Sequence, residues 1–120
     1  MQFSLLSSVT LALVVASLQV AADKFGHSCY DQSLANNHTL YATCSEGPGK
    51  PSRSSSIDLN LCVQNCGGTL ECTVNGYFDF SCKDCSLISA TILTCDCGLG
   101  NTTKDLNSCV SNRYGELKCP

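Results

Sequence analysis

The chain has 120 residues, and its 10 acidic and 7 basic side chains give a formal net charge of −3. This balance argues against a nucleic-acid-binding surface and against a polybasic membrane-binding surface. The length fits one domain, and 11 cysteines in so short a chain predict a small core that needs covalent help.

The N-terminal segment has the features of an export signal. Residues 4–22 carry no charge, the stretch from Val9 to Ala16 is a candidate h-region, and Val20-Ala21-Ala22 is a small-residue cleavage pattern. An uncleaved membrane anchor is the alternative, but the strictly apolar run is shorter than the ~20 residues that span a bilayer. We interpret 1–22 as a signal peptide and 23–120 as one secreted, extracellular domain, with no membrane contact after cleavage.

All 11 cysteines follow this segment, which in a small secreted protein predicts a disulfide framework. Two sequons begin at Asn37 and Asn101, so both asparagines are candidate N-glycosylation sites.

The local signals after the export segment are those of β-structure. Short runs rich in Thr, Leu, Ile and Val are separated by Gly, Asn, Pro and Ser, and they read "TLYATC", "TLECTV" and "TILTCDC". "LANNHT" and "ISAT" predict hairpin turns. "LCVQN" and "SCVSN" are too short for a regular helix, so we expect one helical turn at each, capped by Asn60 and Asn107.

The chain is an internal duplication. Residues 57–72, "IDLNLCVQNCGGTLEC", match 104–119, "KDLNSCVSNRYGELKC", at 9 of 16 positions. Residues 25–44 match 78–97 at 8 of 20 positions. Repeat 1 therefore covers about 25–72 and repeat 2 about 78–119. Each repeat is short for a core of its own, so the repeats should share one body with pseudo-two-fold symmetry.

This duplicated pattern resembles the cyanovirin-N family over nearly all of 24–119. The residues that carry the resemblance are "KFGHSCY", "LYATC", "SSIDLN" with "NCGGTL", "FSCKDCSL" and "DLNSCVSNRYGEL". The resemblance implies an all-β fold of two interleaved, pseudo-symmetric halves, each a triple-stranded sheet plus a β-hairpin. It also implies a lectin that binds glycans or glycoproteins, with mannose-rich glycans as the best-known ligands, and that needs no cofactor or metal.

The bridges Cys29–Cys44 and Cys82–Cys97 follow from the family resemblance. By repeat symmetry we expect Cys62–Cys72 and Cys109–Cys119 as additions. Cys85 and Cys95 lie in one hairpin and predict a further bridge, which needs a bulge or a non-ladder geometry because its register differs by one from that of Cys82–Cys97. Cys66 is left over, either free or paired between two molecules as a dimer.

Other chemistry is weakly supported. "CKDC" followed by "CDC" could hold zinc, but the export signal and the symmetric cysteines favour disulfides. No nucleophile elbow, phosphate-binding glycine loop or His-Glu-x-x-His motif is present in the sequence, and we expect no catalytic residues.

The resemblance implies one sugar site in each half. For site 1 the implied residues are Lys24, His27, Ser28, Ser45, Glu46, Gly47, Asn112, Arg113 and Tyr114. For site 2 they are Gln64, Asn65, Cys66, Gly67, Gly76, Tyr77, Phe80, Ser81, Gly98, Leu99 and Gly100.

The two sites depart from the family pattern to different extents. Ser45 and Phe80 replace acidic residues that bind hydroxyls in well-known members, and Glu46 can compensate in site 1. We therefore expect site 1 to carry most of any sugar binding. A protein-binding effector or inhibitor that kept the scaffold and lost the sugar sites is the alternative, and an exposed apolar patch around Phe78, Phe80 and Leu99 would favour it.

Overall fold

The computed structural model describes residues 24–120. The proposed signal peptide, 1–22, and its cleavage point lie outside this range. The described chain forms ten short strands: β1 (Cys29–Ala35), β2 (Thr39–Ser45), β3 (Ser52–Asp58), β4 (Val63–Cys66), β5 (Thr69–Cys72), β6 (Lys83–Leu87), β7 (Ile92–Asp96), β8 (Asn101–Asp105), β9 (Ser111–Arg113) and β10 (Glu116–Lys118). Single turns of 3₁₀ helix cover Phe25–His27, Leu59–Leu61, Phe78–Phe80 and Leu106–Ser108. Within this range, none of the helices has the length and apolar character needed to cross a membrane.

The strands are arranged twice in the same order. β1, β2 and β3 form one antiparallel sheet, β6, β7 and β8 form a second, and β4–β5 and β9–β10 are two-stranded hairpins. The predicted all-β fold with two pseudo-symmetric halves, each a triple-stranded sheet plus a hairpin, is confirmed.

Each hairpin packs on the sheet of the other repeat. The backbone N–H of Leu117 in β10 donates to the hydroxyl of Ser55 in β3 at 3.0 Å. The equivalent bond joins Leu70 in β5 to Thr102 in β8 at 3.3 Å. The repeats are therefore interleaved, and neither completes a half by itself.

One apolar cluster contains residues of both repeats. Phe25 and its repeat partner Phe78 are fully buried, as are Leu40 and Leu93. Burial of Phe78 removes it from the exposed apolar patch that the sequence suggested.

The helical turns lie slightly earlier than predicted. Asp58 accepts a hydrogen bond from the N–H of Asn60 at 2.9 Å and caps the turn Leu59–Leu61, and Asp105 caps the equivalent turn through Asn107 at 3.0 Å. The expectation that Asn60 and Asn107 are the caps is wrong. Their side chains instead accept from the N–H groups of Asp79 and Gly26, which anchors the start of each sheet.

Three of the predicted bridges are present, namely Cys29–Cys44, Cys82–Cys97 and Cys85–Cys95. The bulge that the last bridge requires lies between Lys83 and Ser86 of β6, where Asp84 has a φ of 54°. The first sheet has the equivalent bulge, with Asp31 at a φ of 57°.

The other two pairings are wrong. The observed bridges are Cys62–Cys119 and Cys72–Cys109, not Cys62–Cys72 and Cys109–Cys119. In the β4–β5 ladder Cys72 lies opposite Val63, so Cys62 and Cys72 are out of register by one residue and do not face each other. Because the hairpins are exchanged between halves, each cysteine lies beside the equivalent partner of the other repeat.

These crossed bridges close long loops. The sequence separations are 57 and 37 residues, whereas each predicted bridge would have spanned ten. In the chain-entropy model such loops stabilise the fold by about 4 kcal/mol each, against roughly 2.7 kcal/mol for a ten-residue loop. They also tie the two repeats together covalently.

The remaining cysteine chemistry is simple. The four sulfurs of "CKDC" and "CDC" form two disulfides, which removes them as zinc ligands. Cys66 is free and exposed, and its pairing between two molecules stays a prediction.

Asn37 joins the two halves through its side chain. Its Nδ2 donates to the Asp79 carboxylate and to the Cys82 carbonyl, and its Oδ1 accepts from the Cys85 N–H at 2.8 Å. Both amide hydrogens of Asn37 donate to other residues of the protein, so a glycan on this nitrogen would replace one of these hydrogen bonds. Asn101 is exposed at the start of β8.

Candidate functional site

Two pseudo-equivalent sites lie where a hairpin turn of one repeat meets the sheet of the other. Site 1 combines the β9–β10 turn with Ser28 and the loop after β2. Site 2 combines the β4–β5 turn with Ser81 and the loop after β7. The structure therefore brings together the segments that the sequence assigned to each site, with an asparagine at the centre of each.

Asn112 holds site 1 together. Its Nδ2 donates to the Ser28 hydroxyl at 2.8 Å and to the Ser45 carbonyl at 3.0 Å, and its Oδ1 accepts from the Gly115 N–H at 2.8 Å. Asn112 is buried, with 8% of its surface exposed. Both amide hydrogens are used inside the protein, so a sugar can reach only the second lone pair of Oδ1.

The surface around this asparagine is polar and charged. Glu46 and Arg53 form an ion pair with Oε2 and Nε 3.8 Å apart. A Cβ on Gly115 would lie 2.8 Å from carbon atoms of both side chains, so their aliphatic parts cover the turn. Tyr114 has a φ of 54° at the tip of the turn and projects into solvent with 84% of its surface exposed.

The other predicted residues of site 1 occupy its edges. Lys24 forms a backbone bridge with Ser111, which attaches the N-terminal segment to β9. Lys24, His27 and Arg113 are exposed, and the Ser45 hydroxyl accepts from the Gly47 N–H at 3.1 Å.

Arg53 was missed by the sequence reasoning. It lies in β3 opposite Cys44. Only recognition of the third strand, paired with "LYATC", could have placed it here.

Asn65 holds site 2 together in the same way. Its Nδ2 donates to the Ser81 hydroxyl at 2.9 Å and to the Cys97 carbonyl at 3.2 Å, and its Oδ1 accepts from the Gly68 N–H at 2.8 Å. Site 2 thus repeats the hydrogen-bond arrangement of site 1, but Asn65 is less buried than Asn112.

The lining of site 2 is apolar. The Leu99 side chain lies over the hairpin turn, since a Cβ on Gly68 would be 2.7 Å from its Cδ1. The rings of Tyr77 and Phe80 are 5.5 Å apart between centroids, with an interplanar angle of 35°. Phe80 and Leu99 have 81% and 82% of their surfaces exposed.

The glycines of site 2 have different roles. Gly76 is required by packing, because a Cβ there would lie 2.3 Å from the Val63 carbonyl oxygen. A Cβ on Gly98 or Gly100 would meet nothing within 4 Å, so the loop has no side chain on either side of Leu99. Gln64 forms a backbone bridge with Tyr77, which attaches this edge of the site to β4.

A residue-by-residue comparison shows how the two linings diverge. At four positions that match between the repeats, site 1 has a charged or imidazole side chain and site 2 has none. The matched pairs are Lys24 with Tyr77, His27 with Phe80, Glu46 with Leu99, and Arg113 with Cys66.

Comparison with known proteins agrees with this architecture. A family model described as the CVNH domain matches residues 25–118. TbCVNH from T. borchii is 26% identical with a TM-score of 0.68, over 81% of this chain and 99% of that chain. GzCVNH from Gibberella zeae is 22% identical with a TM-score of 0.66, over 80% and 96%. A MoCVNH3 variant solved in complex with (N-GlcNAc)4 is 20% identical with a TM-score of 0.73, over 82% and 98%. Comparison with curated protein sequences gave no match.

Proposed function

Because the chain belongs to the CVNH domain family, a family of lectins, we propose that it is a secreted lectin that binds mannose-type glycans mainly through site 1. The export signal and the five disulfides support secretion, since disulfides persist in oxidising compartments. The family assignment, which confirms the resemblance seen in the sequence, supports binding without catalysis.

One observation carries the proposal. Tyr114, Phe80 and Leu99 are the three most exposed large hydrophobic side chains of residues 24–120, and all three lie beside the two central asparagines. Large apolar side chains held in solvent around two equivalent turns indicate recognition. Pyranose rings present C–H-rich faces that pack on aromatic and aliphatic surfaces, while a few polar groups fix their orientation.

Site 1 supplies the polar groups that a hexose needs. The Ser28 oxygen accepts from Asn112, which leaves its own O–H free to donate. Glu46 offers the carboxylate oxygen that Arg53 does not occupy, and Lys24 and Arg113 offer exposed cationic donors. A neutral hydrogen bond adds only about 0.5–1.5 kcal/mol, so several must converge on one sugar. Tyr114 adds the apolar contact.

The carboxylates do not form a hydrolase pair. A glycosidase places two carboxylates across the scissile bond. Glu46 is the one carboxylate among the residues assigned to site 1, and its nearest charged partner is a guanidinium. This arrangement can orient hydroxyls, but the residues assigned to site 1 supply no second carboxylate.

The test is a glycan array probed with the refolded, fully oxidised chain, followed by titration of the best ligand. The array includes mannose-rich glycans and N-acetylglucosamine oligomers, because a fold neighbour was solved with (N-GlcNAc)4. We expect Tyr114→Ala and Glu46→Gln to weaken mannose-type binding by about tenfold, equivalent to 1.4 kcal/mol.

The matched control is Tyr41→Ala, which removes a half-exposed tyrosine from the middle strand of the first sheet. It should bind as the wild type does. Folded protein that binds no glycan on the array would overturn the proposal.

A further inference from the structure

We propose that site 2 is selective for N-acetylated hexosamines, such as oligomers of N-acetylglucosamine, whereas site 1 takes neutral hydroxyl-rich hexoses. This inference rests on the proposed function, because it assigns a second ligand class to the same lectin.

The two sites share one hydrogen-bond arrangement around a central asparagine. In each site an asparagine Nδ2 donates to a serine hydroxyl and to a backbone carbonyl, and its Oδ1 accepts from the N–H three residues further on. These donor–acceptor distances are 2.8–3.0 Å in site 1 and 2.8–3.2 Å in site 2. A ligand can therefore approach the two turns in the same way, and differences in preference must come from the lining.

The side chains that line site 2 carry less charge than those that line site 1. Site 2 has Tyr77, Phe80, Leu99 and Cys66 where site 1 has three charged side chains and a histidine. Hydroxyls of a neutral hexose would meet few side-chain donors or acceptors here, and desolvating them without partners is unfavourable. A ligand for site 2 should be uncharged and should present more apolar surface than mannose does.

The apolar side chains of site 2 lie near its central asparagine, Asn65. Asn65 holds Ser81 and Cys97 together, and Phe80 precedes Ser81 while Leu99 follows Cys97 by two residues. Leu99 lies over the Gly68 turn, and the tilted Tyr77–Phe80 pair directly precedes Ser81, so both border the polar centre at Asn65. An aromatic pair and an aliphatic group around one polar centre can hold a sugar ring and a methyl group together.

An acetamido group meets these requirements. It adds one methyl group for apolar contact, together with one N–H and one carbonyl, and it carries no charge. The Ser81 oxygen accepts from Asn65, so its O–H remains available to donate to the acetamido carbonyl.

The experiment is a backbone-amide NMR titration of the monomeric, oxidised protein with triacetylchitotriose, cellotriose and mannobiose. Cellotriose is the matched ligand, because it has the same linkage and a hydroxyl in place of each acetamido group. We expect triacetylchitotriose to shift the amides of Gly67, Gly68, Ser81, Leu99 and Gly100, and cellotriose to bind there at least tenfold more weakly. Mannobiose should shift site 1 amides.

Variants assign the effect to the lining. Phe80→His and Leu99→Glu give site 2 the side chains found in site 1, and each should weaken triacetylchitotriose binding at least tenfold without changing mannobiose binding. Ile88→Ser is the control, because it removes an exposed apolar side chain from the turn between β6 and β7, which contributes no residue to either site. It should leave both affinities unchanged.

Four results would overturn the inference. The first is equal binding of cellotriose and triacetylchitotriose at site 2, and the second is a site 2 that no sugar shifts while site 1 responds. Both of these leave the proposed function standing. The third is no response at either site, which removes the proposed function as well. The fourth is self-association that Phe80→His abolishes, which would assign the apolar lining to a second copy of the chain.

Discussion

Asn112 donates a hydrogen bond at 2.8 Å to the hydroxyl of Ser28, a residue 84 positions earlier in the chain. The bond joins the last hairpin to the first sheet, and Asn112 makes two further internal bonds. Its amide is therefore a structural clamp at the base of site 1.

Asn112→Ala should lower the stability of the fold, and it should do so in the absence of any sugar. The variant loses three hydrogen bonds and leaves the buried N–H of Gly115 without its acceptor, which costs about 1–3 kcal/mol. Chemical denaturation measures the loss. Asn101→Ala, at an exposed position, is the control and should melt as the wild type does. A wild-type melting curve for Asn112→Ala would show that the clamp contributes nothing.

The crossed disulfides predict a specific peptide map. Complete tryptic cleavage without reduction gives fragments 54–83, 105–113 and 119–120, which carry the cysteines in question. Fragment 105–113 should be linked to 54–83 through Cys72–Cys109, and 119–120 should be linked to 54–83 through Cys62–Cys119. A fragment in which 105–113 is joined directly to 119–120 would instead indicate bridges within each repeat.

The error in the predicted bridges has a physical cause. The family resemblance implied the interleaved halves and the local β-signals predicted the strands, whereas the duplication predicted a shared body with two-fold symmetry. It could not separate Cys62–Cys72 from Cys62–Cys119, since both pairings obey the same two-fold symmetry. Only the docking of each hairpin on the opposite sheet, set by contacts such as Leu117 with Ser55, decides between them.

The candidate sites were predictable to a similar extent. The family resemblance implied which loops meet, but a sequence does not say which amide hydrogens are already used. Asn65 and Asn112 each make three internal hydrogen bonds in the structure, and their contact with a sugar stays a prediction.

Asn37→Asp should destabilise the junction between the halves. The substitution places a second carboxylate beside Asp79 and removes the donor to the Cys82 carbonyl. Like charges repel, so at neutral pH the variant should unfold at a lower temperature than the wild type. Asn36→Asp, at the preceding exposed position, is the control.

The two sequons should differ in occupancy after expression in a eukaryotic secretory host. Asn101 is exposed, whereas a glycan on Asn37 would remove an amide hydrogen that the fold uses. Glycopeptide mass spectrometry should find the glycan on Asn101, and a secreted protein fully occupied at Asn37 would contradict this assignment.

A glycan on Asn101 would also lie next to the 98–100 loop of site 2. Asn101→Gln should therefore leave site 2 affinity unchanged or raise it when the protein comes from that host. A loss of affinity would show that the glycan assists binding.

Gly68→Ala tests whether the position of Leu99 matters for site 2. Gly68 and Gly49 have φ values of 98° and 75°, so an alanine at either position carries backbone strain. A Cβ at Gly49, which lies outside both sites, meets nothing within 4 Å, whereas at Gly68 it would lie 2.7 Å from Leu99 Cδ1 and displace that exposed side chain. We expect both variants to lose similar stability in denaturation, because Leu99 can move into solvent. Only Gly68→Ala should weaken triacetylchitotriose binding, by about tenfold, and equal affinities for the two variants would show that Leu99 does not contact the ligand.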